Sequence, residues 1–166
     1  VIANFDQAMR ACTGDYIALA DQDDVWRRDK ITKMMARMLE VEAQVGHHTP
    51  VLIFSNMQVV NANLRPIRPF RIFPSVREVE AEQRVSWLLL RNYIAGCSML
   101  FNQALLERAH PTPPGFFMHD WWLALVAATF GVVRGVDDTL LQYRQHAANT
   151  YGIKKVPPLL AYHSAK

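Results

Sequence analysis

Long apolar runs and paired cysteines are missing from this sequence of 166 residues. No stretch approaches the ~18 to 20 uncharged apolar residues of a membrane-spanning helix, and the first residues lack the basic stretch and apolar block of a secretion signal. The two cysteines, Cys12 and Cys97, stand in apolar surroundings and form no Cys-x-x-Cys pair. We therefore expect buried thiols and a reducing, cytoplasmic compartment. If the protein contacts a membrane, we expect surface attachment at the inner face of the plasma membrane.

Charge of one sign is also not concentrated in any long run. The 18 Lys and Arg residues are balanced by 15 Asp and Glu residues, which leaves a formal net charge of +3 and a pI of about 9.0. The basic residues form only local groups such as Arg65, Arg68 and Arg71. This distribution excludes a basic nucleic-acid-binding tail, so we expect no nucleic-acid partner. An anionic substrate, or peripheral contact with an anionic membrane surface, suits the balance better.

The overall composition is that of one globular domain. Hydrophobic residues make up 51% of the chain and charged residues 20%, which allows a sizeable core and argues against disorder. The sequence contains no internal repeat and no low-complexity tract. It opens on Val1 and Ile2 without an initiating methionine, which favours a piece of a longer protein.

The first half of the chain alternates helical and extended patterns. We predict a short helix over 4–13, a strand over 15–20, an amphipathic helix over 27–44, and extended segments over 51–55 and 57–61. This alternation is typical of an α/β domain with a mixed, mainly parallel sheet flanked by helices. In such sheets ligands bind beyond the carboxyl ends of the strands, so the residues after the first strand are candidates for a site.

The second half of the chain is less regular. The proline-rich segment 64–74 predicts an extended loop with at most an edge strand. Later patterns predict helices over 80–92, 102–109 and 119–131, a strand over 95–101, and two short strands or a hairpin over 132–146. The final residues, 153–166, are expected to form a tail or the beginning of a further segment.

Three carboxylates follow the first predicted strand in the segment DQDDVW. In an extended backbone Asp21 and Asp23 point to one side and Asp24 to the other, although a turn can bring Asp24 round. Aspartates here can simply form a turn or cap the next helix. As ligands they suit a hard divalent cation, Mg²⁺ or Mn²⁺, that also holds a diphosphate. The segment is not an EF-hand loop, because such a loop needs further oxygen ligands and a glycine at its sixth position.

A second polar group begins the predicted apolar helix 119–131. Asp120 can favour the helix dipole there, or it can act as a general base that deprotonates an attacking hydroxyl. Trp121 and Trp122 lie about 100° apart on a helix, so one can pack in the core while the other stacks on a sugar ring. The residues alone leave both interpretations open.

The third group lies in the segment YRQHAANTYG, after the last predicted strand. His146 can supply a neutral nitrogen ligand to a metal ion, and Arg144 can bind a phosphate with two parallel hydrogen bonds. Both can equally be solvated side chains at the edge of a sheet.

The order of four motifs resembles the family 2 glycosyltransferases of the GT-A fold, especially the bacterial branch that includes rhamnosyltransferases. The motifs are NFDQAMRACTGDYIALADQDDVW with a lysine-containing helix after it, GCSMLFNQALL, MHDWWLAL and YRQHAANTYG. The resemblance extends from Asn4 to Gly152. Its specificity lies in the order and spacing of the four motifs rather than in any one of them.

The resemblance implies transfer of a sugar from a nucleotide-sugar donor with inversion at the anomeric carbon. It implies that Asp21 and Asp23 hold a divalent ion, Mg²⁺ or Mn²⁺, and the donor diphosphate, with Asp24 as an alternative ligand and His146 as a further metal ligand. It implies that Asp120 is the catalytic base. His119 stands where the family usually has Glu, and the residues expected on the acceptor or sugar side are Gly96, Cys97, His119, Trp121, Trp122 and Arg144.

The same resemblance suggests the partners. We expect a dTDP- or UDP-sugar as donor, with rhamnose as the first sugar to consider, and a glycan or lipid-linked acceptor in cell-surface polysaccharide synthesis. Members of the family begin with a further strand, helix and strand that bind the nucleotide base, and these have no counterpart ahead of Val1. We therefore expect 1–152 to be the C-terminal two-thirds of a GT-A domain, truncated at its N-terminus.

Two alternatives remain open at this stage. The first is a carbohydrate- or nucleotide-sugar-binding remnant without turnover, with a groove lined by Trp121, Trp122 and Tyr143. The second is a Mg²⁺-dependent phosphoryl-transfer enzyme of another α/β fold. Sugar transfer predicts that Asp23, Asp120 and His146 converge on one cleft, whereas phosphoryl transfer predicts that Asp120 lies elsewhere.

Overall fold

The computed structural model describes residues 2–68, 81–146 and 149 of the chain. Within this part the helices are α1 (Ile2–Arg10), α2 (Lys30–Val45), α3 (Ala81–Leu90), α4 (Gln103–Ala109) and α5 (His119–Phe130). The strands are β1 (Tyr16–Ala18), β2 (Val25–Trp26), β3 (Val51–Asn61), β4 (Pro66–Arg68), β5 (Met99–Asn102) and β6 (Val132–Gln145). A single 3-10 turn, Gly96–Ser98, leads into β5.

The strands form one mixed sheet in the order β1-β5-β3-β6-β2, with β4 beside β3. The α/β class with helices flanking a sheet is confirmed. The expectation of a mainly parallel sheet is wrong for the described strands: β3 and β6 pair in parallel, and the other four pairings are antiparallel. The reason is that β5 lies between β1 and β3. Strands β1 and β3 run in the same direction, as the alternation predicted, but β5 runs antiparallel to both of them.

The core lies on both faces of β3, the central strand. Leu52 and Phe54 point to the side covered by α4 and α5, whereas Val51 and Ile53 point to the side covered by α2. A strand that is buried on both faces carries apolar residues without alternation. This explains why VLIF could be recognised as a buried strand from the sequence.

The last strand, β6, differs from its prediction. It is one continuous strand rather than two short strands or a hairpin, and it pairs with β3 from Val132 to Gln145. The register of residue pairs skips Asp137, Asp138 and Leu140. They form bulges, and the side-chain amide of Asn56 closes the first one by donating to the Asp137 carbonyl at 3.1 Å. The two aspartates that suggested a hairpin turn therefore widen a strand instead.

Other boundaries differ less. The predicted segments 51–55 and 57–61 are parts of the single strand β3, and the predicted strand 95–101 begins only at Met99, because the Gly96–Ser98 turn precedes it. An edge strand in the proline-rich segment is confirmed at Pro66–Arg68. The prediction for 153–166 concerns residues outside the described part of the chain. None of the helices in the described part has the length and apolar character needed to cross a bilayer.

Glu42 is a buried carboxylate that connects α2 to the sheet. It accepts hydrogen bonds from the Tyr16 hydroxyl at 2.7 Å and the Asn102 side-chain amide at 2.9 Å, and its Oε2 lies 3.0 Å from His47 Nδ1. Burial alone would raise the pKa of Glu42, but the hydrogen bonds from Tyr16, Asn102 and His47 outweigh it, so the pKa is lowered. The charged form therefore stabilises the fold.

We predict that Glu42→Gln lowers the free energy of unfolding by about 1–3 kcal/mol, because one or more buried donors lose their acceptor. Glu40→Gln on the same helix is the control: its carboxylate forms a surface pair with Arg37 and should contribute less than about 1 kcal/mol. Urea unfolding at neutral pH measures both. The stabilisation by Glu42 is present above the ordinary pKa of glutamate and is lost as pH falls through the lower pKa of the folded state. Equal stability of the two variants at neutral pH would contradict this role.

Candidate functional site

The candidate site is a cleft of about 400 Å³ at one edge of the sheet, which we call the strand-end cleft. Strands β1 and β6 run in the same direction and end at this edge, and the antiparallel strand β5 begins there. The loops after β1 and β6, the turn before β5 and the start of α5 therefore meet. The residues that line the cleft include Asp21, Gln22, Asp23, Gly96, Cys97, His119, Asp120, Tyr143, His146 and Asn149.

At one end of the cleft, Asp23 and His146 form a close pair. Asp23 Oδ2 lies 2.8 Å from His146 Nε2, and the two side chains are 22% and 30% exposed. The Asn149 amide also donates to Asp23 Oδ2 at 3.3 Å. Two loops that are 123 residues apart in the chain thus present a carboxylate and an imidazole to the same space.

Arg144 binds the segment 21–24, which we call the aspartate loop, on the side away from the cleft. Its Nε donates to the Asp23 carbonyl at 2.7 Å, its terminal nitrogen Nη1 donates to the Ala62 carbonyl at 2.9 Å, and its backbone N–H donates to Asp24 Oδ1 at 3.0 Å. Neither Arg144 nor Asp24 is among the residues that line the cleft. Asp24 therefore joins the loop to β6. The segment is a turn closed by the Asp24 N–H and the Asp21 carbonyl rather than extended backbone, so it brings the Asp24 carboxylate round to within 4.8 Å of that of Asp21, while Asp21 and Asp23 line the cleft.

Asp21, Asp24 and Cys97 form a cluster in which the ligand atoms lie within 4.8 Å of one another. Burial raises the pKa of both carboxyls, repulsion by Asp23 adds to the shift at Asp21, and interaction with the Cys97 thiol opposes it at each. Burial and the two negative charges also raise the pKa of Cys97, which keeps the thiol protonated. In this arrangement Cys97 is a neutral thiol beside two carboxylates rather than a thiolate.

Lys30 is the cation next to this cluster, and its side chain has no exposed surface. Its Nζ donates to the Cys97 carbonyl at 2.6 Å and lies 3.6 Å from the centroid of the Trp26 ring. Burial lowers the pKa of Lys30 to about 8, and the charges of Asp24 and Asp21 oppose that shift. The ammonium group is therefore still mostly protonated at neutral pH.

Asp120 lies at the other end of the cleft and is 7% exposed. Its Oδ2 accepts a hydrogen bond from the Gly96 backbone N–H at 3.1 Å, and its Oδ1 accepts one from the Trp121 N–H at 2.7 Å. Burial raises the pKa of this carboxyl even though both N–H groups stabilise the charged form. A raised carboxyl pKa makes the carboxylate a stronger base, which is the property that proton abstraction from a hydroxyl requires.

His119 is buried beside Asp120 and is 4% exposed. Its ring stacks on Phe5 with centroids 3.8 Å apart, and neither ring nitrogen has a hydrogen-bond partner within the described part of the chain. Burial lowers its pKa to about 4, so the imidazole is neutral at physiological pH. A Cβ on Gly96 would lie 3.3 Å from His119 Nε2, so glycine at 96 leaves the room that the imidazole occupies.

The two tryptophans lie outside the cleft lining. The Trp121 indole N–H donates to the Leu88 carbonyl, and that of Trp122 donates to the Ala109 carbonyl, each at 2.6 Å. Trp122 also packs against the core. Both rings therefore connect α5 to its neighbours, which is the packing role that the sequence left open for them.

Sequence reasoning did not identify Phe5, Lys30 or Asn149 as site residues. Asn149 belongs to the YRQHAANTYG motif, so its polar side chain three positions after His146 was an available signal. Phe5 lies in the first motif and Lys30 in the lysine-containing helix after it, but their residue types did not indicate a site role, because each reaches the site through contacts with residues far along the chain.

The cleft residues fit a hard divalent cation. Asp21 and Asp23 offer carboxylate oxygens that repel each other, and His146 offers a nitrogen; this donor set suits Mg²⁺ or Mn²⁺. A protonated thiol is a poor ligand for such an ion, whereas Asp24 keeps one buried carboxylate oxygen, Oδ2, without a hydrogen-bond partner in the described part of the chain. The carboxylates of Asp21 and Asp24, whose ligand atoms lie within 4.8 Å of each other, therefore fit the ion together, and Asp23 and His146 form a second donor pair in the same loops.

The chain is similar to known proteins along most of its length. The family model described as glycosyl transferase family 2 matches residues 1–108. Uncharacterized proteins of Mycobacterium tuberculosis and Mycobacterium bovis are each 25% identical over 147 residues, which cover 89% of this chain and 39% of the relative. An uncharacterized glycosyltransferase of Nostoc sp. is 21% identical over 154 residues, which cover 89% of this chain and 44% of that protein. The chain thus spans about two-fifths of the length of these relatives.

The buried, neutral state of His119 predicts a pH effect on stability. Because its pKa in the folded state, about 4, is below the ordinary value of 6.5, the unfolded chain binds a proton that the folded chain does not. The stability contributed here is intact above about pH 6.5 and falls as pH decreases towards 4. We expect wild type to lose about 2–3 kcal/mol more than His119→Phe over this window.

Urea unfolding at a series of pH values measures this difference. Both proteins retain Glu42 and the other carboxyl groups, so the acid sensitivity that these groups cause cancels in the comparison. His119→Phe keeps an aromatic ring for Phe5 to stack on. A difference between the two proteins that does not change with pH would show that His119 is not held neutral by burial.

Proposed function

Because the chain belongs to glycosyl transferase family 2, we propose that the protein transfers a sugar from a nucleotide-diphosphate sugar to a hydroxyl group of an acceptor, with inversion. The observation that carries this proposal is that Asp23, Asp120 and His146 line one cleft. A phosphoryl-transfer enzyme that uses only Asp21 and Asp23 gives no reason for a buried carboxylate on α5 to face them. The convergence therefore supports sugar transfer over that alternative.

In the proposed reaction, the carboxylates of the aspartate loop and His146 hold Mg²⁺ or Mn²⁺ together with the donor diphosphate. A bound divalent ion supplies positive charge that stabilises the nucleoside diphosphate as it leaves. The amide of Asn149 and the guanidinium of Arg144 keep Asp23 in place through its carboxylate and its carbonyl, respectively. Asp24 accepts the Arg144 N–H at Oδ1 and keeps Oδ2 for the ion.

Asp120 is the proposed base. The acceptor hydroxyl must lose a proton as its oxygen attacks the anomeric carbon, and the Asp120 carboxylate would take it. The Gly96 and Trp121 N–H groups fix the orientation of this carboxylate. Gly96, Cys97 and His119 border the same space, where a neutral imidazole with unpartnered nitrogens suits a hydrogen bond to a sugar hydroxyl.

The finer assignments rest on the resemblance of the motifs to rhamnosyltransferases. We propose a dTDP- or UDP-sugar as donor, with rhamnose tested first, and a glycan or lipid-linked acceptor of cell-surface polysaccharide synthesis at the inner face of the plasma membrane. We propose that 1–152 is the part of the chain that belongs to the transferase domain. A carbohydrate-binding protein without turnover is the alternative that the experiments below must separate from an enzyme.

We predict that Asp120→Asn in the full-length protein lowers kcat by about 10²–10⁴-fold, because the amide cannot accept the proton. Affinity for Mn²⁺ and for the nucleotide should stay within about threefold of wild type, since the Asp120 carboxylate is bound by the Gly96 and Trp121 N–H groups and is not one of the proposed cation ligands. A screen of dTDP- and UDP-sugars with and without Mn²⁺ supplies the substrate, and release of the nucleoside diphosphate measures turnover. Unchanged turnover would remove Asp120 from the mechanism, and donor binding without turnover in wild type would favour the binding protein.

We predict that Asp23→Asn weakens Mn²⁺-dependent binding of dTDP or UDP by at least about tenfold, because the ion loses a charged ligand. Asp15→Asn is the matched control, since Asp15 is exposed at the other end of β1 and its substitution changes the net charge equally. Isothermal titration calorimetry with each nucleotide, with and without Mn²⁺, measures the effect. Equal Mn²⁺ dependence in Asp23→Asn and Asp15→Asn would contradict the metal role of Asp23.

A further inference from the structure

Lys30 occupies a position that a lysine rarely has. It is the first residue of α2, and its side chain is completely buried. Removal of an ammonium group from water is costly unless the group is paired. Lys30 Nζ is compensated by the Cys97 carbonyl at 2.6 Å, by the face of the Trp26 ring and by the charges of Asp24 and Asp21.

The Cys97 carbonyl belongs to the Gly96–Ser98 turn, which contacts both ends of the strand-end cleft. On one side, the Cys97 Sγ lies within 4.8 Å of carboxylate oxygens of Asp21 and Asp24. On the other side, the Gly96 N–H donates to Asp120 Oδ2 at 3.1 Å. Successive residues of a single turn thus lie against the aspartate loop and bind the proposed base.

The turn has few internal means of holding its position. Its own hydrogen bonds are those from the Ser98 N–H and hydroxyl to the Ala95 carbonyl, at 2.9 and 2.7 Å, and the bond from the Met99 N–H to the Gly96 carbonyl. These bonds close the turn but do not attach it to α2. The bond from Lys30 makes that attachment, because α2 is a 16-residue helix packed on the sheet.

We propose that Lys30 is a positioning residue for sugar transfer: its ammonium group fixes the Gly96–Ser98 turn and thereby sets the distance between the cation-binding carboxylates and the base Asp120. The inference rests on the proposed function and adds to it a residue that touches no substrate. A displacement of about 1 Å between reacting groups can cost about 10²-fold in rate. Loss of the Lys30 contact should therefore reduce the chemical step more than it reduces binding.

The test is Lys30→Met in the full-length protein, with Lys33→Met as the matched control. Lys33 lies one turn further along α2, is 38% exposed, and forms ion pairs with Asp29 and Asp138. For Lys30→Met we expect kcat to fall about 10- to 100-fold, with the Mn²⁺-dependent dissociation constants for dTDP and UDP within about threefold of wild type. Lys33→Met should match wild type in both.

Active-site titration separates positioning from simple loss of fold. If Lys30 only stabilises the protein, the number of dTDP- or UDP-binding sites will fall, but kcat per binding site will equal that of wild type, and this result overturns the inference. If Lys30→Met is not recovered in folded form, Lys30→Gln replaces it; its shorter amide cannot reach the Cys97 carbonyl in the same way, so the same loss of kcat per site is expected.

A double-mutant cycle with Gly96→Ala tests the route through the turn. The added methyl group would lie 3.3 Å from His119 Nε2 and 3.5 Å from Asp120 Cβ, so it disturbs the turn directly. If Lys30 acts through this turn, the double variant should lose much less than the product of the two single losses. Independent, multiplicative losses would contradict the proposed route.

The outcomes also separate this inference from the function on which it rests. If wild-type protein transfers no sugar from any dTDP- or UDP-sugar with Mn²⁺, the proposed function fails and the inference fails with it. If wild type transfers sugar and Lys30→Met has the same kcat per site, only the inference fails.

Discussion

The parallel ladder between β3 and β6 is the constraint on which the rest of the structure depends. It is the longest pairing in the described part of the sheet, and it directs β6 towards the edge at which β1 also ends. Arg144 and His146 reach the aspartate loop only because β6 follows β3 over its full length. The burial of β3 on both faces in turn fixes this ladder between α2 on one side and α4 and α5 on the other.

Several carboxylates lie at the strand-end cleft, and different groups surround those of the aspartate loop and that of Asp120. At the aspartate loop, the buried ammonium of Lys30, the Cys97 thiol and the imidazole of His146 act on Asp21, Asp23 and Asp24. At the start of α5, Asp120 receives only hydrogen bonds from neutral groups, and burial dominates its pKa. The aspartate loop is therefore suited to a cation and Asp120 to a proton, which is the separation that metal-assisted transfer to a hydroxyl requires.

Much of the site could be predicted because its residues follow strand ends or begin a helix, and such positions show in a pattern of apolar runs and polar stops. Asp21, Asp23, Asp120 and His146 were identified in that way. The direction of β1 relative to β3 was also predictable, but the insertion of β5 between them was not, since it depends on a pairing between residues about 50 to 85 positions apart. The buried states of Lys30 and Glu42 were hidden for a similar reason: each charge is compensated by partners contributed from distant strands and turns.

The bulges in β6 determine which way the side chains after them point. The register between β3 and β6 skips three residues of β6, and three is an odd number, so the side chains beyond Leu140 face opposite to those of an unbulged strand. Tyr143 therefore lines the cleft while Arg144 reaches behind the aspartate loop. If the register at Val132 continued without the bulges, Tyr143 would stand opposite Ala62 instead of Val59, so the three skipped residues set both the direction in which the tyrosine points and its position along the sheet.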